Sequence, residues 1–498
     1  MPRLHTVHFG CRANQADSAA ITEELLQEGF QTVDDYRQAD VVVLNSCTVT
    51  AAADTELRQT IRRIHRQNQH ARILVTGCYA QRRPQDLSSL PGVRWIVGNT
   101  RKNEIGRLVS AHARGSGASH WVPLERLLAT AQPFQDVAFH SLSAHLPHAE
   151  PPFVGPEILV GDVSTQRELT PAPVVRTSPG DRTRPNLKVQ DGCNNRCSFC
   201  IIPSVRGISR SLPPDEVLRQ IRALCAAGYR EVVLTGINLG GYGRDFPERI
   251  RFARLVEMVL EETPLERLRL SSVEPMDFTD ELLDLMAGSP RIAQHVHAPL
   301  QSGSNRILLR MHRKYQTRHY RDRILAAYRR MPNAAFGADV MVGFPGETEE
   351  DFELTRSLID SLPFTYLHVF PFSRRSGTPA DTMPSQVDGT AVRERGRILR
   401  DLAAEKNRHF QERQVGRTLR VLTLDETSRK ETTALSDNYL RVLLHGVRLP
   451  SNRIVAVQIV SLADGFLVGN LPAEPSSHAP SPGPSSTASP STTTCASA

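Results

Sequence analysis

The sequence has no apolar run of about 18 residues, so no membrane-spanning helix is expected. Residues Met1 to Cys11 lack the apolar core of a secretion signal, which predicts a chain that stays in the reducing cytoplasm. Cysteine is scarce: the chain of 498 residues has eight, at 11, 47, 78, 193, 197, 200, 225 and 495. So few cannot staple so long a chain, and they read as ligands or nucleophiles instead. Acid is missing from Leu57–Arg83, which holds seven arginines. In Gln301–Arg330 a single acid, Asp322, opposes nine Lys and Arg. The two stretches carry +15 in a chain of net charge +7, which leaves −8 for the rest. One basic run is usually a solvated helix face, whereas two in an acidic body are candidate phosphate-binding surfaces. The last 26 residues, Ala473–Ala498, have no Lys or Arg and are mostly Pro, Ser and Thr, so disorder is expected there, Cys495 included.

What remains is ordinary globular material, 40% hydrophobic and 23% charged, long enough for about three domains of ~150 residues each. Residues 1–113 alternate strand and helix signals, with strands at Leu4–Phe9, Val41–Asn45, Ile73–Thr76 and Trp95–Val97. The alternation predicts a Rossmann-like parallel sheet. Residues 114–181 lose this rhythm and read as an irregular linker or insertion, with one short helix near Leu124–Ala129. In 182–413 the alternation returns, with six strand candidates followed by a charged helix over 388–413. Six βα units make a partial (βα)6 barrel, since a closed eight-fold barrel needs about 250 residues. Residues 414–472 carry four short alternating runs and read as a small β-barrel of a kind often used on nucleic acid.

Cys193-Asn-Asn-Arg-Cys197-Ser-Phe-Cys200 puts three thiols on one loop after the first barrel strand. Closed structural zinc sites take four ligands, and no fourth Cys or His follows nearby. A three-cysteine loop suits a 4Fe–4S cluster with one open iron. Cys11, Cys47 and Cys78 form no local motif, yet each lies just past the carboxyl end of a predicted strand. In a parallel sheet those ends share one edge, where ligands bind. A single such cysteine would read as a small apolar residue; three at equivalent positions read as ligands. Cys225 sits in the apolar helical segment Ile221–Ala227 and reads as core. Several loops face the barrel mouth: the glycines from Gly236 to Gly243, Glu274, Gln301-Ser-Gly-Ser304 and Gly343-Phe-Pro-Gly-Glu347. Phe199, Gly236, Glu274, Gln301 and Gly343 are the candidate cofactor contacts, with Glu274 a candidate acceptor for ribose hydroxyls and equally an ordinary loop carboxylate.

The C-x3-C-x2-C loop with Phe199 before its third cysteine resembles the signature of the radical S-adenosylmethionine (SAM) superfamily. With the dispersed triad before it and a small β-barrel after it, the chain resembles the radical SAM methylthiotransferase family. Gly10-Cys-Arg-Ala-Asn-Gln-Ala-Asp-Ser18, Asn45-Ser-Cys-Thr-Val-Thr50, Arg58-Gln-Thr-Ile-Arg-Arg63, Thr76-Gly-Cys-Tyr-Ala-Gln81, Gln190-Asp-Gly-Cys-Asn194 and Cys200-Ile-Ile-Pro203 are similar to its MtaB-type branch, which acts on N6-threonylcarbamoyladenosine of tRNA. The long linker and the Pro/Ser/Thr tail depart from that pattern without touching a motif residue.

The resemblance implies an auxiliary-cluster domain (1–113), a radical SAM barrel with its connecting helix (182–413) and a TRAM barrel (414–472). It implies two 4Fe–4S clusters, on Cys11, Cys47, Cys78 and on Cys193, Cys197, Cys200. It also implies reductive SAM cleavage to a 5′-deoxyadenosyl radical and methylthiolation at C2 of the adenosine at position 37, beside the anticodon. The expected partners are the tRNA anticodon arm and an electron donor such as flavodoxin or ferredoxin, with the chain acting as a monomer. The sister substrates, isopentenyladenosine and a ribosomal protein, are the competing reading within the family. A non-catalytic metal-containing RNA-binding protein is the competing reading outside it.

Overall fold

The structure, a computed structural model, describes residues 1–113, 155–169, 183–424 and 431–472. Its first unit is a parallel sheet of β1 (Arg3–His8), β2 (Gln31–Thr32), β3 (Val41–Ser46), β4 (Arg72–Gly77), β5 (Val93–Val97) and β6 (Glu157–Leu159). The order is β2-β1-β3-β4-β5-β6. Strand β3 is buried at all six positions, as a central strand covered on both faces must be. One face packs Leu4, Val41 and Trp95 against Ile21 and Leu25 of helix Arg12–Gln27. The other packs Val42 and Ile73 against Leu57, Ile61 and Ile64 of helix Ala51–Gln67. The Thr50 side chain starts that second helix by accepting from Ala53 N.

Strand β6 corrects the expectation of an irregular 114–181 segment. Glu157–Leu159 pairs in parallel with Trp95–Val97. Three residues, two of them exposed, carry no readable period, and it is the open edge of β5 that recruits them. The rest of that segment, 114–154 and 170–182, lies outside the described residues, including the helix expected near 124–129. So does the tail 473–498.

The second unit is the expected partial barrel. Its strands are β7 (Asn186–Lys188), a short antiparallel pair β8 (Gln190–Asp191) and β9 (Arg210–Ser211), then β10 (Glu231–Thr235), β11 (Arg267–Leu270), β12 (His295–His297), β13 (Ala335–Val342) and β14 (Tyr366–Pro371). Strands β7, β10 and β11 pair in parallel, as do β12, β13 and β14, and a parallel bridge between Leu268 and Ile292 links the halves. Leu268, Leu270, Val296 and Val340 point outward into one continuous apolar core with the surrounding helices. Half-buried Cys225 packs on that core.

Helix Gly389–Glu412 leads to a closed barrel of β15 (Thr418–Thr423), β16 (Glu431–Ser436), β17 (Arg441–His445), β18 (Ile454–Ala463) and β19 (Phe466–Asn470). The sequence pattern predicts four of these five strands. Strand β16 reads Glu-Thr-Thr-Ala-Leu-Ser, with one large apolar residue, so its alternation is faint and barrel closure supplies its partners.

The first unit covers the gap between β7 and β14. On the β7 side, Asp17 pairs with Lys188 and Arg206. On the β14 side, Arg375 donates to Asp54 at 2.7 Å and Ala51 N donates to Ser373 Oγ at 3.0 Å. Among the described residues no helix is long and apolar enough to cross a membrane.

Candidate functional site

Strands β8 and β9 clamp the loop that carries Cys193, Cys197 and Cys200. The turn into it needs glycine: Gly192 has φ +69°, and a Cβ there would collide with the Ile208 carbonyl. N–H groups point at the sulfurs. Asn195 N donates to Cys193 Sγ at 3.4 Å, and Arg313 Nη1 donates to Cys197 Sγ at 3.3 Å. Burial pushes the Cys200 thiol up to about 12 and raises Cys193 as well. Bare thiolates are therefore disfavoured here, while N–H donors await them. That donor set fits an iron–sulfur cluster, whose positive iron centres stabilise the thiolates while the N–H groups meet the negative charge left on sulfur.

Cys11, Cys47 and Cys78 follow β1, β3 and β4, three adjacent strands. Cys47 lies so close to the β1 end that a Cβ on Gly10 would be 2.7 Å from its sulfur. Val49 N donates to Cys47 Sγ at 3.5 Å, and Asn99 Nδ2 donates to Cys78 Sγ at 3.7 Å. Burial, then the neighbouring Cys78, pushes Cys47 up to about 12. Cys11 is exposed as a residue, yet its thiol is densely surrounded; that surrounding raises its pKa, and the Arg206 charge opposes the rise. The two triads are neighbours, because Cys78 packs on Ile201 and Val205, just beyond Cys200. Asn99 also donates to the Val205 carbonyl at 2.7 Å.

The candidate cofactor residues divide. Phe199 packs edge-to-face on Phe344, with ring centres 6.4 Å apart. Gly236 forms a cradle against Gln190, whose Oε1 would lie 2.9 Å from an added Cβ. Glu274 is not a free acceptor: its Oε2 is held by Arg313, which ties it to Cys197. Gln301 takes φ +63°, an uncommon backbone state for a side-chain residue, fixed by its bonds to Asp339 O and from Met341 N. Gly343 faces Val392 of the long helix, so helix packing accounts for its lack of a side chain. Asn238 Oδ1 and Ser271 Oγ, just beyond β10 and β11, are buried without a partner among the described residues. Orphaned polar atoms at the carboxyl ends of barrel strands fit a polar ligand such as SAM.

Sequence reasoning missed the barrel lumen. Rings line it in unbroken contact. Tyr439 lies 4.7 Å from His295 and 5.7 Å from Tyr366, and His368 lies 5.4 Å from both Tyr366 and His297. Ser272 Oγ and His297 Nδ1 share a hydrogen bond of 2.7 Å. His297 Nε2 and His368 Nδ1 approach Asp339 Oδ1 at 3.4 and 3.1 Å. Burial would raise Asp339, but the two imidazoles outweigh it and hold the carboxyl below its usual range. The signal was present as Arg267-Leu-Arg269-Leu, His295-Val-His297 and Tyr366-Leu-His368. Such period-two alternation in a parallel strand marks one polar face.

The small barrel closes one end of this lumen. Arg269 donates to Ser436 O and Asp437 O at 3.1 Å each and stacks over Tyr439. Charge interactions lead from Asp339 to Glu274, and from Glu274 to Arg313 and Cys193 at the other end.

Comparison with known proteins agrees with this arrangement. The Radical SAM superfamily profile matches residues 187–359, and that of Uncharacterized protein family UPF0004 matches residues 3–98. Threonylcarbamoyladenosine tRNA methylthiotransferase MtaB of Bacillus subtilis (strain 168) is 37% identical over 464 residues, 92% of this chain and 93% of that protein. The chain belongs to the radical SAM methylthiotransferase family, in its MtaB-type branch. A second MtaB, of Aquifex aeolicus (strain VF5), is 34% identical over 88% of this chain and 96% of its own length. The sister branch of this methylthiotransferase family also matches. The tRNA-2-methylthio-N(6)-dimethylallyladenosine synthase of Nocardioides sp. (strain ATCC BAA-499 / JS614) is 32% identical over 95% of this chain and 89% of its own. Among solved structures, the radical SAM methyltransferase TsrM from Kitasatospora setae shares the fold at 16% identity, with a TM-score of 0.52 over 76% of this chain and 77% of that one.

Proposed function

We propose that this methylthiotransferase modifies tRNA, placing a methylthio group on C2 of N6-threonylcarbamoyladenosine at position 37. The observation that carries the reading is the neighbouring placement of two cysteine triads, with Cys78 packed on Ile201 and Val205 just beyond Cys200, in a chain whose 37% and 34% identical relatives are named for that activity. Cys193, Cys197 and Cys200 would hold one 4Fe–4S cluster, and Cys11, Cys47 and Cys78 the auxiliary one. Together with SAM these groups supply the radical and the sulfur; the chain positions them and keeps competing reactions out.

The residues have distinct tasks in this reading. Arg313 fixes Cys197 and Glu274 relative to one another. Gly236, Asn238 and Ser271 offer SAM a cradle and two unpaired polar atoms. The lumen rings stack on a base that has left the anticodon loop, where an unpaired base is free to be splayed out. Exposed Arg62, Arg63, Arg66 and Arg83 suit the phosphates. The second basic stretch is partly spent on the fold, since Arg306, Arg313, Arg323 and Arg330 are ion-paired.

Residues 1–113 with β6 would form the auxiliary-cluster unit, 182–413 the radical SAM unit with its long helix, and 414–472 an RNA-contacting TRAM barrel. A small flavodoxin or ferredoxin serves as the electron donor, and the enzyme works as a cytoplasmic monomer. Nucleoside analysis of tRNA from a deletion strain tests the substrate. The 2-methylthio-threonylcarbamoyl nucleoside should vanish, and loss of the isopentenyl counterpart instead would assign the chain's activity to the sister reaction.

A further inference from the structure

The lumen is rich in arginine, and nearly all of it is spoken for. Arg267 and Arg269 pair with Glu231, and Arg184 lies 4.0 Å from the same carboxylate. Arg313 pairs with Glu274, and Arg206 with Asp191 and Asp17. Arg12 differs. It follows Cys11 directly and opens helix Arg12–Gln27, and its guanidinium makes one hydrogen bond among the described residues, from Nη2 to the Tyr439 hydroxyl at 3.2 Å. No carboxylate among those residues pairs with it. Its charge is felt by the lumen rings, since it adds to the burial, Arg269 and His297 that depress His295, and it opposes the burial that raises Tyr366. A cation therefore faces the lumen next to a cluster cysteine, with an aromatic wall beside it and no anion among the described residues to neutralise it.

We propose that Arg12 is a specificity-determining residue that holds the carboxylate of the threonylcarbamoyl group, with Tyr439 positioning its guanidinium. The inference rests on the reading of N6-threonylcarbamoyladenosine as substrate. That nucleoside carries a free carboxylate on its N6 substituent, and the isopentenyl substituent has none. The lumen's charge map orients the base. Asp339, flanked by the imidazoles of His297 and His368 and by no Arg or Lys ion pair among the described residues, makes one end negative, and a substrate carboxylate turned toward it would be repelled. Turned toward Arg12 it meets an unpaired donor fork of matching geometry. The carbamoyl N–H groups then face the Asp339 end, where acceptors lie. An apolar substituent in the same place would leave Arg12 desolvated without a partner, so the residue also discriminates against the sister substrate.

The test compares anticodon stem–loop RNAs carrying the threonylcarbamoyl acid or its methyl ester, with iron-loaded full-length protein. A charge-assisted bond of this kind predicts a preference for the acid of roughly 10- to 100-fold in binding and in methylthiolation rate. In Arg12→Gln that ratio should fall to about 1, and Arg12→Lys should restore part of it; a measured iron content confirms that the variants are loaded. An Arg12→Gln ratio equal to the wild-type ratio would overturn the proposal. So would wild-type protein that binds and modifies acid and ester alike, a result that needs no variant. If wild-type protein modifies neither RNA but accepts the isopentenyl one, the substrate reading itself fails, and that outcome is distinct from the other two.

Discussion

At the scale of single residues, Cys11, Cys47, Cys193 and Cys200 share one physical predicament, thiols that burial pushes up. Burial raises the pKa of Cys47 and Cys200 to about 12, yet backbone amides, Asn99 and Arg313 aim N–H groups at sulfurs of both triads. Two clusters of four irons predict about eight irons per chain after anaerobic reconstitution. Cys47→Ser should lose about half of that iron, keep dithionite-dependent SAM cleavage and yield no methylthiolated nucleoside. Cys197→Ala should lose the other half together with SAM cleavage. Iron assay and chromatography of the products read both outcomes, and a full iron load in either variant would remove that cysteine from the ligand set. These residues were legible in the sequence because spacing alone marks a three-thiol loop, and because each dispersed cysteine follows an apolar strand run. Arg12, Asp339 and the lumen imidazoles were not legible. Their meaning depends on which faces meet across units, and no local period records that.

Among elements, the decisive pieces are turns at strand ends. Gly192 delivers the chain from β8 into the cysteine loop at φ +69°, against the Ile208 carbonyl. Gly192→Ala should cost about 1–3 kcal/mol in denaturant unfolding, the range for a side-chain residue held in such a backbone state, with reduced iron loading as its spectroscopic counterpart. Strands with continuous apolar runs, such as β3 and β10, were readable because both faces are covered. Strand β6 was not, being three residues given their place by the edge of β5. Strand β16 was equally faint, since its backbone partners come from closure of a barrel and not from its own side chains. Helix Ala51–Gln67 presents exposed Arg62, Arg63 and Arg66. Replacing all three with Ala should weaken tRNA binding and flatten its salt dependence, lowering the slope by about 1 for each phosphate no longer neutralised.

At the scale of the whole molecule, a buried ionic hub joins the first two units. Arg206 is 1% exposed and donates to Asp191 and Asp17, while Lys102 and Lys188 complete the set. Burial would raise Asp17 and Asp191, but the surrounding cations outweigh it and depress both. A depressed carboxylate contributes stability that is present above its unfolded value, about 4, and lost as pH falls through its folded value. The junction should therefore hold unchanged from about pH 8 to 5 and loosen only below about pH 4, as thermal unfolding against pH would report. Arg206→Met leaves two buried carboxylates short of a partner and should cost about 3–5 kcal/mol.

The sequence by itself determined the three-part order of the chain, the six-stranded partial barrel and the two cysteine triads at the ends of strands. Those features are written in local spacing and apolar period, which survive without a fold. Only the tertiary structure decided that the first unit covers the barrel's gap, that the two triads are neighbours, and that a tyrosine of the small barrel meets Arg12 beside the lumen. The bond between Arg12 and Tyr439 joins residues 427 positions apart. It is a partly buried contact between the first unit and the small barrel, and it exists only once the units have packed together.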